Sequence, residues 1–132
     1  MTRFRFLAGI VMLVGGVSLA GAQAVRNVPR MSIDELKSLM AKKQVLVIDV
    51  RNMQEFAGGH IPGAMNIPYG QSSAQEEELR KEKRTIVLYC ACVNESSAAR
   101  AATEMEGLGI PNLKVLLGGW DEWIKRGEKT EK

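Results

Sequence analysis

Two cysteines separated by one residue, Cys90 and Cys92, are the side chains in this sequence best suited to covalent chemistry. Paired cysteines in an oxidising compartment usually form a structural disulfide. A bridge across one intervening residue closes a very small loop, so it is expected to be strained and to stabilise the fold little. The spacing therefore favours a reactive role for these thiols over a structural one.

The residues around Cys90 indicate how its sulfur is activated. The apolar run 85–89 predicts a buried strand that ends at Cys90, and the Ala-rich segment from Ser97 predicts a helix. Backbone N–H groups of the intervening loop and of the first helical turn can converge on an anion, and the helix dipole favours a thiolate there. The same cradle suits a persulfide, whose outer sulfur is anionic. The alternative is that Cys90 is an inert, buried apolar residue at a strand end.

Strand and helix patterns alternate along the rest of the chain. Further strands are predicted at 45–50, 64–68 and 113–117. Helices are predicted after the cap residues Ser32 and Asn52, across the charged segment 73–83, and after Gly118-Gly119. This alternation predicts an α/β domain with a largely parallel sheet, in which ligands bind beyond the carboxyl ends of the strands. Cys90 lies at such a position.

The first 24 residues have the pattern of a secretory signal peptide. Arg3 and Arg5 precede an apolar stretch, 7–20, and small residues follow it in two Ala-x-Ala arrangements. The stretch is short for a bilayer span, which needs about 20 residues. We therefore expect cleavage near residues 23–25, export to a bacterial periplasm and no stable membrane insertion, followed by a linker at 25–30 and one domain at 31–132. An uncleaved membrane anchor is the alternative.

Charge and composition exclude several classes of function. The 132 residues carry 18 Lys and Arg against 15 Asp and Glu, a net charge of +3, and removal of the two arginines in residues 1–24 leaves +1. A nearly neutral chain with interspersed charges gives no electrostatic case for nucleic-acid or membrane-surface binding. No cluster of His, Cys and carboxylates has metal-ligand spacing, so no metal site and no cofactor is predicted.

Three separated segments resemble the rhodanese homology domain. They are 47–51 with Glu55 and Phe56, continued by 59–64 and 66–68; 87–90 with Ser96 and the Ala-rich helix to Ala102; and 117–120 with Trp123. The resemblance spans about residues 31–125. It implies a three-layer α/β/α fold around a parallel five-stranded sheet. It also implies transfer of sulfane sulfur through a Cys90 persulfide, typically from thiosulfate to a thiophilic acceptor such as cyanide. The exported single-domain bacterial members are the subgroup that it resembles most.

The loop from Cys90 to Glu95 has six residues and resembles the sulfurtransferase loop, whereas related phosphatases have one residue more. Its substrate-binding positions are Ala91, Cys92, Val93, Asn94, Glu95 and Ser96. Members of the family often carry Arg or Lys in this loop, where the cation binds the sulfonate end of thiosulfate. Here Glu95 is expected to repel that dianion, and Glu95→Arg is expected to improve thiosulfate turnover.

Several other polar residues are better explained by structure than by catalysis. Asp49 and Arg51, at the end of a buried strand, predict an ion pair or loop anchor. His60, the only histidine, is expected to brace the following turn by hydrogen bonds. Asn94 suits a loop position with positive φ. These residues are predicted to support the site without taking part in the chemistry.

Two questions stay open from the sequence. Cys92 could attack a persulfide on Cys90, giving a disulfide and sulfide, or could be a small filler that points away. Three functions remain in competition: a sulfurtransferase with a small-molecule or protein sulfur donor and a thiol or cyanide acceptor; a thiol–disulfide redox protein with a periplasmic redox partner; and a non-catalytic rhodanese module that binds a partner through its loop face.

Overall fold

The computed structural model describes residues 27–132. The predicted signal peptide, residues 1–24, and its cleavage sites lie outside the described residues. Within residues 27–132, none of the helices combines the length and the apolar character needed to cross a bilayer.

Five parallel strands form one sheet, as the sequence pattern and the resemblance predicted. They are β1 Arg30–Met31, β2 Val45–Asp49, β3 Met65–Asn66, β4 Thr85–Tyr89 and β5 Leu113–Leu116. Their order is β1-β5-β4-β2-β3, and every pairing is parallel. β4 therefore lies in the middle of the sheet, between β5 and β2.

Helices cover both faces of this sheet. They are α1 Ile33–Ala41, α2 Met53–Gly58, α3 Glu76–Arg80, α4 Ser96–Gly107 and α5 Gly119–Lys125. Side chains alternate along β4, so that Ile86 and Leu88 pack with the alanines of α4 while Val87 and Tyr89 pack with residues of α1 and α5. The two apolar clusters make the predicted three-layer α/β/α fold.

The predicted helix starts are confirmed at their cap residues. The Ser32 side chain accepts the Glu35 N–H at the start of α1. At α2, Asn52 and Glu55 form a complete capping box. The helix predicted over 73–83 is shorter than expected. A 3-10 turn over Ser72–Gln75 replaces its first residues, and α3 covers only Glu76–Arg80.

The predicted linker at 25–30 is wrong for its last three residues. Val28 is 6% exposed and belongs to the apolar core. The Pro29 carbonyl accepts the Val115 N–H, and Arg30 pairs with Val115 in the sheet. These residues form the edge strand β1 and its approach. The described part of the domain therefore begins before residue 31.

Candidate functional site

Cys90 directly follows the central strand β4, at the carboxyl edge of the sheet. The residue is 4% exposed, and its side chain lies within the apolar cluster that includes Ala98 and Ala99 of α4. The carbonyl of the preceding residue, Tyr89, accepts the Val50 N–H at 3.0 Å, and this hydrogen bond joins the end of β4 to the end of β2. The strand thus fixes Cys90 between the sheet and the N-terminal end of α4.

The turn after β5 packs directly on the backbone of Cys90. Gly119 has φ 54°, and a Cβ at this position would lie 2.3 Å from the Cys90 carbonyl oxygen. The Trp120 N–H donates to the same carbonyl at 3.0 Å. Only glycine fits this contact, because any side chain would collide with the carbonyl. The Gly-Gly-Trp motif that follows β5 therefore anchors the end of β4, where Cys90 lies.

The two cysteines are joined by a disulfide, contrary to the expectation that so short a loop disfavours one. The Cα atoms of Cys90 and Cys92 are 5.6 Å apart, inside the usual range for bridged cysteines. Cys92 has an extended backbone (φ −133°, ψ 154°), which lets its side chain turn back toward Cys90. The structure brings both sulfurs together, so Cys92 is not a filler that points away.

The Cys92 sulfur also lies at the N-terminus of α4, where it accepts the Ser97 N–H at 3.4 Å. Asn94 and Glu95 follow with φ 54° and 53°, and this pair of left-handed residues turns the chain into the helix. The positive φ predicted for Asn94 is confirmed. Ala91 and Ser96 are exposed, and Val93 is 81% exposed, so the loop faces solvent on its outer side.

Glu95 is not the free carboxylate at the rim of an anion site that the sequence predicted. Its carboxylate accepts the Gly118 N–H at 2.7 Å and lies 4.0 Å from the Arg30 guanidinium. The side chain is 12% exposed. Glu95 therefore fastens the loop to the turn after β5, and its charge is partly neutralised there, which weakens the expected repulsion of an anionic donor.

Behind the loop, Asp49, Arg51 and Tyr89 form a buried polar cluster. The Asp49 carboxylate accepts the Tyr89 hydroxyl at 2.6 Å and the Arg51 Nη2–H at 2.7 Å. Arg51 also donates to the Gly59 carbonyl at 2.7 Å, and the Tyr89 hydroxyl accepts the Ile61 N–H at 3.1 Å. The predicted ion pair is confirmed, and its hydrogen bonds join the ends of β2 and β4 to the segment after α2.

The residues of this cluster stabilise one another's protonation states. Burial and the hydrogen bond to Asp49 both raise the pKa of Tyr89, so the phenol stays protonated. Burial by itself lowers the pKa of Arg51, but the Asp49 carboxylate outweighs it and the pKa is raised. The Arg51 guanidinium also lies over the Trp120 ring, 4.1 Å from its centroid. The cluster is a closed, charge-balanced support.

His60 has a structural role, as predicted, but its ring contacts the end of α2 and Glu131 rather than the turn that follows it. Its Nδ1 lies 2.9 Å from the Phe56 carbonyl oxygen, and its ring stacks on Phe56 with centroids 3.7 Å apart. On the other side, Nε2 lies 3.3 Å from the Glu131 carboxylate, and the backbones of His60 and Glu131 pair as an antiparallel bridge. Both ring nitrogens of His60 thus have partners away from the cysteines.

Within the part of the chain that the structure describes, no group of three or more His, Cys, Asp and Glu side chains could hold a metal ion. The groups that the structure brings together at the site are the two cysteine sulfurs, the loop backbone and the N-terminus of α4. Sequence reasoning identified these parts. It missed the contact of Gly119 with Cys90 and the role of Tyr89, whose only sequence signal was its place at the end of a buried strand.

Comparisons with known proteins agree with this geometry. The family model of the rhodanese-like domain matches residues 32–126. The human thiosulfate:glutathione sulfurtransferase is 29% identical over 112 residues, which cover 74% of this chain and 95% of that protein. The uncharacterised protein YqhL of Bacillus subtilis (strain 168) is 37% identical over 81 residues, which cover 61% of this chain. That match covers 62% of the Bacillus protein, less than two thirds of its length.

A solved structure extends the likeness to the fold. The crystal structure of a rhodanese-related protein from Thermoplasma volcanium superimposes with a TM-score of 0.66 and 25% sequence identity. The superposition covers 78% of this chain and 97% of that one. The sheet and its helices therefore match along nearly the whole of that protein.

Proposed function

The chain belongs to the rhodanese-like family, and on that premise we propose that it is a sulfurtransferase that carries sulfane sulfur as a persulfide on Cys90. The observation that carries the proposal is the position of Cys90, at the end of the central strand and before the N-terminus of the 12-residue helix α4. Relatives named as sulfurtransferases support the reaction class.

In the first half-reaction, the reduced Cys90 thiolate attacks the sulfane sulfur of the donor. The bond between that sulfur and the rest of the donor breaks, and the leaving group takes the electron pair; with thiosulfate it is sulfite. In the second half-reaction a nucleophile such as cyanide or a thiolate attacks the outer sulfur, and the Cys90 thiolate leaves. Loop N–H groups and the α4 dipole stabilise the anionic sulfur in both steps.

The loop suits a weakly charged donor better than a dianion. Positions 91–95 contain no Lys or Arg, and the Arg30 guanidinium is directed at Glu95. Backbone N–H groups and a helix dipole, worth about 0.3–1 kcal/mol to an exposed anion, must then bind the donor without a cation. We therefore propose that persulfides of small thiols or of proteins are better donors than thiosulfate. Glutathione, named in the human relative, and cyanide are the acceptors to test.

The test is steady-state transfer to cyanide by the chemically reduced chain, with thiosulfate and glutathione persulfide compared as donors. The initial rate of thiocyanate formation should be high for the native chain and for Cys92→Ser and at background for Cys90→Ser, because a serine hydroxyl neither ionises near neutral pH nor forms a persulfide. Initial rates for Cys92→Ser no higher than those of Cys90→Ser, with both donors, would refute the proposal.

The disulfide supports one competing function, that of a thiol–disulfide redox protein. In that case the bridged form is the working state, and it would oxidise a dithiol substrate by exchange. A catalytic amount of oxidised chain, mixed with a reduced, unfolded protein and with oxidised glutathione as the terminal oxidant, distinguishes the two. Several substrate disulfides formed per chain, faster than with oxidised glutathione alone, would support the redox function, and a rate no higher than that background would oppose it.

We also propose that the chain is exported to a bacterial periplasm. The basic start, the apolar stretch 7–20 and the Ala-x-Ala sites support this. N-terminal sequencing of the protein from its native host should find a start near Gln23 or Val25. An intact Met1 in a membrane fraction would contradict export by cleavage.

A further inference from the structure

We propose that Cys92 is the resolving thiol of the Cys90 persulfide, so that the protein releases sulfide and ends each cycle as the observed Cys90–Cys92 disulfide. This inference rests on the proposed persulfide on Cys90. It adds a second product, hydrosulfide, and a second substrate, a thiol reductant, to the sulfur-transfer reaction.

The first support is that the described backbone already brings the two sulfurs into a bond. Cys90 is fixed by β4 and by the contacts of Gly119 and Trp120 with its carbonyl. Cys92 reaches it from an extended backbone, and the left-handed residues that redirect the chain come only afterwards, at Asn94 and Glu95. The bridge therefore lies within the loop, between a regular strand β4 and a regular helix α4.

The second support is the environment of the Cys92 sulfur. It accepts the Ser97 N–H at 3.4 Å in the first turn of α4. A donor and a helix N-terminus at the same sulfur favour its thiolate over its thiol. The thiolate is the form that attacks, so the residue next to the persulfide is prepared as a nucleophile.

The reaction balances as an internal exchange. The Cys92 thiolate attacks the Cys90 Sγ, the inner sulfur of the persulfide, and forms the Cys90–Cys92 bond. The bond between the two persulfide sulfurs breaks, and the outer sulfur leaves with the electron pair as hydrosulfide. The sulfane sulfur is reduced to sulfide, and the two cysteines supply the electrons by becoming a disulfide.

The unequal exposure of the two cysteines determines which sulfur of the bridge a reductant attacks first. Cys90 is 4% exposed, whereas Cys92 is only partly buried. An external thiolate therefore attacks the Cys92 sulfur and releases the Cys90 thiolate, and a second thiol then frees Cys92. Two thiols are oxidised to one disulfide for each sulfide released. Either two monothiol molecules or one dithiol can supply these electrons.

The experiment is a single turnover with the full chain, reduced, freed of reductant and mixed anaerobically with one equivalent of glutathione persulfide. Sulfide release and intact mass are followed for the native chain, Cys92→Ser and Cys90→Ser. The native chain should release about one sulfide per molecule and become two hydrogens lighter. Cys92→Ser should gain one sulfur atom and release sulfide at least about tenfold more slowly. Cys90→Ser gives the background.

Equal sulfide release by the native chain and Cys92→Ser would overturn the inference. Sulfur assigned to Cys92 itself, by fragmentation of the native peptide that contains both cysteines, would also overturn it. If Cys92→Ser takes up no sulfur at all, the proposed persulfide on Cys90 itself fails. Adding glutathione or dithiothreitol to the spent native chain should restore both thiols, and comparison of the two rates separates a monothiol from a dithiol reductant. A bridge that neither thiol reduces would contradict turnover.

Discussion

The loop at 90–95 and the cluster of Asp49, Arg51 and Tyr89 lie side by side at the same edge of the sheet, yet they are built in opposite ways. In the cluster, the Asp49 carboxylate, the Arg51 guanidinium and the Tyr89 hydroxyl all have hydrogen-bond partners, and the three residues are at most 8% exposed. The loop contains two left-handed residues, a disulfide and an exposed Val93. The cluster is a support with one arrangement, and the loop is where bonds can change.

The largest effect expected from this contrast is a redox response confined to the loop. The disulfide occupies the Cys90 sulfur, so the air-oxidised chain has no nucleophile, and reduction with a phosphine should raise its sulfur-transfer rate at least about a hundredfold. Cys92→Ser cannot form the bridge, so the same reduction should change its sulfur-transfer rate by less than about threefold. A native chain equally active before and after reduction would show that the bridge does not control the site.

The second prediction concerns the cluster and is measured as stability. Asp49→Ala leaves the Arg51 charge buried without its partner and should lower the free energy of unfolding by about 3–5 kcal/mol in urea titrations. Asp34→Asn is the matched control, because it breaks an exposed ion pair with Arg126 and should leave the free energy of unfolding nearly unchanged. If Asp49→Ala does not fold, Tyr89→Phe, expected to cost about 1–3 kcal/mol, tests the same cluster. Similar losses for Asp49→Ala and Asp34→Asn would show that the cluster is no special support.

A smaller effect is expected at Glu95, which joins the loop to the turn after β5. Glu95→Ala removes the acceptor of the Gly118 N–H and should lower the free energy of unfolding by about 1 kcal/mol, with a smaller loss for Glu95→Gln. Because the carboxylate is already bound, Glu95→Arg should change kcat/KM for thiosulfate by less than about threefold. A gain of about tenfold or more would restore the sequence-based prediction that this carboxylate repels the donor.

The smallest effect lies at the opposite end of β4. Hydrogen bonds from Arg84 lower the pKa of Glu82 from 4.5 to about 2. A depressed carboxyl pKa stabilises the fold above pH 4.5, and this contribution is lost as the pH falls from 4.5 towards 2. The pair is near the surface, so we expect less than about 1 kcal/mol. Glu82→Gln should flatten the pH dependence of unfolding in this window, and an unchanged slope would contradict the assignment.

The elements nearest the site could be predicted because they are buried on both faces. β4 was predicted at its observed bounds, and β2 and β5 within one residue, since continuous apolar runs mark central strands. β1 was missed because two residues carry no periodicity and pair only with a distant strand. Local chemistry also predicted the caps Ser32 and Asn52 and the positive φ of Asn94.

The errors at the site have a different cause. The orientation of Glu95 depends on Gly118, 23 residues away in sequence, and no local pattern encodes that contact. The disulfide depends on how the backbone leaves β4 and enters α4, which spacing alone does not determine. Residue types therefore indicated the chemistry, and long-range packing decided which groups are available for it.

The most direct measurement of the central claim is the location of the transferred sulfur. Reduced Cys92→Ser is incubated with glutathione persulfide, alkylated and digested, and the peptide that contains Cys90 is analysed by mass spectrometry. We predict one additional sulfur atom on Cys90 that disappears, with stoichiometric thiocyanate formation, when cyanide is added before the alkylation. An unmodified Cys90 peptide after exposure to donor, in a chain shown to be folded and reduced, would contradict sulfur transfer by this protein.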